Sequence, residues 1–286
     1  MDLVDFHHDD ADYVDRLRVS YQNATPFPHV VMHDVLRPTS DEIVGAFPDL
    51  RWDGWNARQH SYAREKRFCR DIERMPDLLR RVIYELEAPT VLRFLSSITG
   101  KEKLLPDPYL EGGGLHCSPP GGQLVPHTDF HLYEALDLYR QLNLLLYLNP
   151  MWKPGDGGEL QLFRKGEQDP VVSVAPTFGT CVIFGTDHLS VHGVSPITEN
   201  AEDRRSIALY YYTSTENETF SGDNITYWQG HDVTSLSKAE RAELLISRGL
   251  VRTARVFHRL GHRSNPIYRN AAKRRQGKRT RVIDQS

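Results

Sequence analysis

Cysteine is scarce: three residues in 286, Cys69, Cys117 and Cys181, far apart along the chain. That excludes a disulfide framework and any C-x-x-C zinc knuckle. It makes a reducing, cytoplasmic setting the expectation. Long apolar runs are also missing. The longest, Leu142 to Leu148, is interrupted by Asn143 and falls far short of the roughly 20 residues that cross a bilayer. The first residues, Met1-Asp2-Leu3-Val4-Asp5, lack the basic and apolar regions of a signal peptide. No internal repeat is found. What is there fits an ordinary globular chain, 39% hydrophobic and 26% charged, long enough for one large domain or two small ones.

The net charge of −3 conceals an asymmetry: from Arg248 onward twelve Lys or Arg face one Asp. The block from Ala272 to Arg281 reads as a solvated tail, or as an anchor for an anionic partner or a neighbouring subunit. It contains no aromatic residue on which bases could stack, which argues against nucleic acid.

Periodicity divides the chain at about residues 104 and 235. Residues 1–104 read as a helical and strand layer. Pro26 to Leu36 suits a short strand, and Pro38-Thr39-Ser40-Asp41-Glu42 a helix start. Leu78, Leu79, Val82, Ile83 and Leu86 recur at helical spacing, with Pro89 restarting the helix and Gly100 ending it. Arg51 to Phe68, rich in Arg and aromatics, reads as a loop, with Arg58, Arg64 and Arg67 available to an anionic substrate. Residues 105–235 change to period two with frequent Gly and Pro turns. Eight strands are expected, at 113–117, 123–130, 140–149, 159–163, 170–174, 180–184, 190–194 and 204–213, as an antiparallel sandwich or barrel that ends near Thr213. Residues 236–286 hold a capping-box pattern, Ser237-Lys238-Ala239-Glu240, a helix to about Leu260, and the basic tail. The three segments are expected to form one structural domain, mainly β with flanking helices.

The chemistry concentrates at Pro126-His127-Thr128-Asp129. Residues two apart on a strand share a face, so His127 and Asp129 would project side by side. Imidazole and carboxylate are two of the three ligands of the facial triad that holds non-haem Fe(II). His192, in Ser190-Val191-His192-Gly193-Val194, is the candidate third ligand. Beyond it, Arg204-Arg205 opens an apolar strand. A basic residue there is costly to bury without an anion, and a guanidinium grips a carboxylate with two parallel hydrogen bonds. Arg205, sharing its face with Ile207, Leu209 and Tyr211, is expected to point inward and Arg204 outward.

These motifs, with Tyr147-Leu148-Asn149, Gly157-Gly158-Glu159-Leu160, Phe184-Gly185 and His192-Gly193-Val194-Ser195-Pro196 in that order, resemble the Fe(II)- and 2-oxoglutarate-dependent dioxygenases, specifically the prolyl 4-hydroxylase-like branch. The match covers roughly residues 105–215. The resemblance implies a double-stranded β-helix, or jelly-roll, core of cupin type. It implies Fe(II) at His127, Asp129 and His192, which would be the catalytic centre. Arg205 and Tyr147 would take the distal carboxylate of 2-oxoglutarate, and Asn143, on the face of Tyr147, would line the pocket. O2 is the second co-substrate, with ascorbate as a reductant. The implied reaction is hydroxylation of an unactivated C–H bond with decarboxylation of 2-oxoglutarate to succinate. The substrate would be an amino acid, a prolyl residue or a natural-product intermediate.

Halogenating relatives replace the carboxylate ligand with a small residue, so Asp129 favours hydroxylation. Nucleic-acid demethylating relatives carry a second Arg six positions after the first, and Tyr211 stands six after Arg205. The turn from Ile197 to Asp203 is longer than in many relatives, which leaves the choice between Arg204 and Arg205 open. Where the branch often has a Tyr facing the co-substrate, this chain has His116-Cys117-Ser118. His131 and His188 lie near the ligands in sequence. Two other readings of the same residues are a non-catalytic metal-binding or interaction module and a Zn or Mn hydrolase.

Overall fold

The computed structural model describes residues 3–60, 63–214 and 226–228, together with four helical positions further on, Ile246, Leu250, Thr253 and Phe257. The chain divides into two compact units, Met1–Gly230 and His231–Ser286. Apart from those four positions, the capping box at Ser237, the helix behind it and the basic tail lie outside the described residues.

The helices start and stop where side chains satisfy their end groups. In α1 (Ala11–Asn23) the Asp10 side chain accepts from the Tyr13 amide. In α2 (Ser40–Ala46) Thr39 and Glu42 form a reciprocal capping box. The two apolar segments before residue 100 are separate helices, α3 (Asp77–Leu86) and α4 (Pro89–Thr99). Pro89 occupies the first turn of α4, and Gly100 ends it in the left-handed conformation.

Thirteen strands form one antiparallel sheet, among them β1 (His29–Met32), β2 (Asn56–His60), β3 (Ala63–Cys69), β4 (Gly114–Ser118), β5 (Gln123–Thr128), β6 (Leu132–Tyr133) and β7 (Leu138–Tyr147). The rest are β8 (Leu160–Phe163), β9 (Val172–Val174), β10 (Cys181–Gly185), β11 (Val191–Val194), β12 (Arg204–Thr213) and β13 (Tyr227–Trp228). The main path runs β1-β10-β7-β12-β4-β3-β5-β11-β8-β9. The eight strands expected after residue 105 are all present. Two expectations need correction. Arg51 to Phe68 is largely a β-hairpin, β2–β3, whose second strand joins β4 to β5. Its polar sequence hid the strand, since its burial pattern is mostly exposed or intermediate. The sheet also continues past Thr213, because β13 pairs with β5.

Strand parity gives the sheet two environments. Leu142, Leu144, Leu146, Ile207, Leu209, Tyr211 and Leu115 pack with the helices in one core. Tyr147, Val182 and Phe184 from β7 and β10 pack against Leu160, Leu162 and Val174 from β8 and β9. These strands are not neighbours in the sheet order, so the sheet curls over on itself as a jelly-roll half-barrel. Each fully buried Leu contributes about 2 kcal/mol of transfer free energy. Between the two layers lies the cavity that holds the site.

Candidate active site

β5 and β11 run antiparallel, with His192 directly opposite His127. The close approach depends on Gly193, since a Cβ there would stand 2.8 Å from the Leu124 carbonyl oxygen. The two imidazoles lie 4.5 Å apart between ring centroids. In each, Nδ1 faces a backbone carbonyl, His127 to Val125 at 2.9 Å and His192 to Ser190 at 3.0 Å. Donation by Nδ1–H leaves the Nε2 lone pair aimed at the other ligands. Asp129 completes the set. Its Oδ1 is 3.5 Å from His127 Nε2 and its Oδ2 is 3.5 Å from His192 Nε2. One ligand atom from each of the three residues falls within 4.8 Å of the others. Two neutral imidazole nitrogens and one carboxylate oxygen on one side of a point suit a divalent ion with open positions.

The protonation states agree with that use. Burial lowers His192 to about 4, opposed by Asp129 and reinforced by His127, so the ring is neutral at neutral pH. For Asp129, burial pushes upward, but Arg140, His192 and His127 together hold the carboxyl well below its usual range.

Arg140 is a site residue that pattern reading missed. It is 1% exposed. Its Nη2 lies 3.0 Å from Asp129 Oδ2, and Asn143 donates to the same oxygen at 2.7 Å. Arg140 Nε also donates to Asn143 Oδ1 at 2.9 Å. The guanidinium is seated over the Tyr210 ring, 3.3 Å from its centroid. A lone Arg after a run of acidic and aromatic residues carries no signal until the fold buries it. Trp228 was missed too. It comes from β13 and stacks on His127 at 4.6 Å between centroids.

Of the two arginines opening β12, Arg204 lines the cavity and Arg205 does not. The expected orientation is therefore corrected. The face carrying Ile207, Leu209 and Tyr211 belongs to the helix-side core, and the cavity face carries Arg204, Ser206 and Tyr210. Arg205 pairs instead with Glu202 at 3.3 Å and lies over the Phe47 ring. The motif residues explain how Arg204 is aimed. Asn149 donates to the Asp203 carbonyl at 2.7 Å and accepts from the Arg205 amide at 3.0 Å, pinning the backbone on either side. Arg204 Nε donates to the Gly158 carbonyl at 2.7 Å. Its guanidinium lies 4.9 Å from the Tyr147 ring centroid. Six residues beyond Arg204 stands Tyr210, so the correction brings no second Arg into that position.

Tyr147 is fully buried, with its hydroxyl shut from solvent beside the Arg204 guanidinium. Burial raises it to about 12, against the pull of Arg204. Asn143 lines the cavity as expected, with its amide engaged by Asp129 and Arg140. His131 is buried and packs near Tyr139; neither it nor His188 lines the cavity. In the β2–β3 hairpin, Arg67 donates to the Leu50 carbonyl, and Lys66 is the basic residue that reaches the cavity. The Arg58 side chain lies outside the described residues. The cavity has a volume of about 170 Å³ and opens to solvent.

A jelly-roll half-barrel holding a His-x-Asp…His cluster, with an arginine on the same cavity wall, is similar to the arrangement of non-haem iron oxygenases. More closely, the family model of the 2OG-Fe(II) oxygenase superfamily matches residues 113–212. The chain is 25% identical over 197 residues to prolyl 3-hydroxylase OGFOD1 of Xenopus laevis, covering 66% of this chain and 36% of that protein. It thus spans about a third of the curated relative's length. Among solved structures, the epimerase SnoN from nogalamycin biosynthesis, in complex with Fe3+, alpha ketoglutarate and nogalamycin RO, superposes with a TM-score of 0.51 at 13% identity, over 78% of this chain and 96% of that one. A prolyl hydroxylase from Trichoplax adhaerens, in complex with a hypoxia inducible factor peptide, gives 0.49 at 19% identity, over 70% and 91%.

Proposed function

We propose that this protein is an Fe(II)- and 2-oxoglutarate-dependent hydroxylase of an unactivated C–H bond, turning 2-oxoglutarate into succinate and CO2. The observation that carries this reading is the convergence of His127, Asp129 and His192 in a cavity whose wall also presents Arg204. The three side chains fit a divalent iron, since both imidazoles have Nδ1 committed to the backbone and Nε2 free to ligate. Bound there, iron supplies the oxygen chemistry. The protein's part is binding and orientation. Arg204 binds the distal carboxylate of the co-substrate, with Ser206 on the same wall and the buried Tyr147 ring packed against its guanidinium. Arg140 and Asn143 keep Asp129 ionised and turned toward the histidines. Trp228 covers one face of His127 and limits water there.

The substrate class is a prolyl residue, a free amino acid or a natural-product intermediate. The curated relative is named a prolyl 3-hydroxylase, so prolyl peptides are the first to test. Purified protein incubated with Fe(II), 2-oxoglutarate and air should form succinate, and His127→Ala should abolish it. Succinate formation that persists in that variant would remove the assigned iron site. A substrate is then found as a gain of one oxygen atom in mass.

A further inference from the structure

The two histidine ligands are held in different ways. Val125, whose carbonyl takes His127 Nδ1, lies inside β5. Strand pairing at Leu124 and His127, on either side of it, fixes that carbonyl. Ser190, whose carbonyl takes His192 Nδ1, comes one residue before β11 begins. Residues 186–190 carry the chain from β10, paired with β1 and β7, to β11, paired with β5 and β8. The second carbonyl is therefore set by a turn that crosses between layers. Asp187 closes that turn. Its Oδ1 accepts from the Leu189 amide at 2.7 Å and from the Ser190 amide at 2.9 Å. Its backbone amide donates to Ser190 Oγ at 2.9 Å, and the Ser190 hydroxyl donates to its carbonyl at 2.8 Å. Ser190 is 1% exposed, so these bonds are shut from solvent.

We infer that Asp187, which does not itself line the cavity, is a positioning residue for the metal site. It sets the direction of the Ser190 carbonyl, and through that carbonyl the tautomer and ring orientation of His192. The inference rests on the metal site proposed above. A neutral imidazole has one N–H, and two acceptors compete for it here. The Ser190 carbonyl draws it to Nδ1 and leaves Nε2 as the lone pair that ligates. The Asp129 carboxylate, 3.5 Å from Nε2, draws it to Nε2, and a ring protonated there cannot ligate through that atom. The turn decides between them, because a carbonyl rotated off Nδ1 hands the proton to the Asp129 side. Tyr21 of α1 and Lys101 after α4 feel the Asp187 charge. Asn at this position keeps the acceptor and drops the charge, so hydrogen bonding and charge can be separated.

The test compares the full chain with Asp187→Asn, Asp187→Ala and Ser190→Ala. The first readout is the 15N-histidine spectrum of the metal-free chain, with the His192 signals assigned by their loss in His192→Gln. The wild type and Asp187→Asn should show the Nδ1–H tautomer, and Asp187→Ala a mixture with the Nε2–H form. The second readout is Mn(II) titration. Asp187→Ala should bind about 10- to 100-fold more weakly, and Asp187→Asn within about threefold of the wild type. Ser190→Ala keeps the carbonyl and both bonds to Oδ1, so it should fall between the two in both readouts. It decides the matter where Asp187→Ala does not fold, and wild-type behaviour there counts against the turn. An unchanged tautomer in Asp187→Ala, whatever the affinity, or equal losses in Asp187→Ala and Asp187→Asn, overturns the role of Asp187 and leaves the metal site standing. A wild type that binds no Mn(II), with tautomers that still separate as stated, removes the metal site and keeps the hold of the turn on His192.

Discussion

At the scale of single residues, the site is governed by who holds the second oxygen of Asp129. Arg140 and Asn143 both reach Oδ2, so Oδ1 is the oxygen left for a metal. Arg140→Met should lower divalent-metal affinity about 10- to 100-fold, read by Mn(II) titration. The double variant with Asn143→Ala should cost little more, because the two side chains act as one unit. The β12 arginines separate in the same way. Arg204→Lys should raise the apparent KM for 2-oxoglutarate about tenfold or more, through loss of the planar fork. Arg205→Lys should leave it within about twofold, as a surface-pair change does. The reverse order would return the carboxylate to Arg205. The sequence made both arginines visible but not their direction. Alternation guarantees that one faces the cavity, and only the identity of the opposing layer says which. Tyr211 and Leu209 marked the buried face correctly, but that face is buried by helices.

At the scale of elements, close backbone approaches and helix ends set the constraints. Gly114 starts β4 with φ at 93°, and a Cβ there would stand 2.0 Å from the Cys69 carbonyl oxygen of β3. Gly114→Ala should therefore cost at least about 2 kcal/mol, from positive φ and the backbone clash together, measured by urea denaturation. The end of α3 carries a pH-sensitive group. Burial first, and Asp107 second, raise Glu87 from 4.5 to about 7. Between those values the folded state binds the proton more tightly, so stability falls as pH rises from 4.5 to 7 and is level above. Glu87→Gln should remove that slope. At pH 8 the variant should be more stable than the wild type by about 1 kcal/mol, a figure discounted for partial exposure, and near pH 4 the two should coincide. Thermal melts across that range check both ends. Helix ends of this kind were readable in advance, since Thr39, Glu42, Pro89 and Gly100 act within a few residues of themselves. The β2–β3 hairpin was not, because its backbone is satisfied by β4 and β5, strands more than forty residues away in the register of Arg67 with Cys117 and Arg64 with Gln123.

At the scale of the whole molecule, every residue of the site falls within the unit Met1–Gly230. A chain ending at Gly230 should therefore keep its divalent-metal affinity, again by Mn(II) titration. If the basic tail is an anchor for anions, the same truncation should elute from an anionic resin at lower salt than the full chain, since the full chain carries the extra positive charge. Loss of metal binding on truncation would show that the tail supports the site. The sequence by itself determined the candidate ligand set and most of the strands. His127 and Asp129 share a face by simple alternation, and turn glycines and capping residues punctuate the chain locally. Only the tertiary structure decided that His192 lies opposite His127, that Arg204 rather than Arg205 meets the cavity, and that Arg140 is buried on Asp129. Those facts depend on which distant strands become neighbours and which layer covers each face, and neither is encoded within the reach of one strand or one turn.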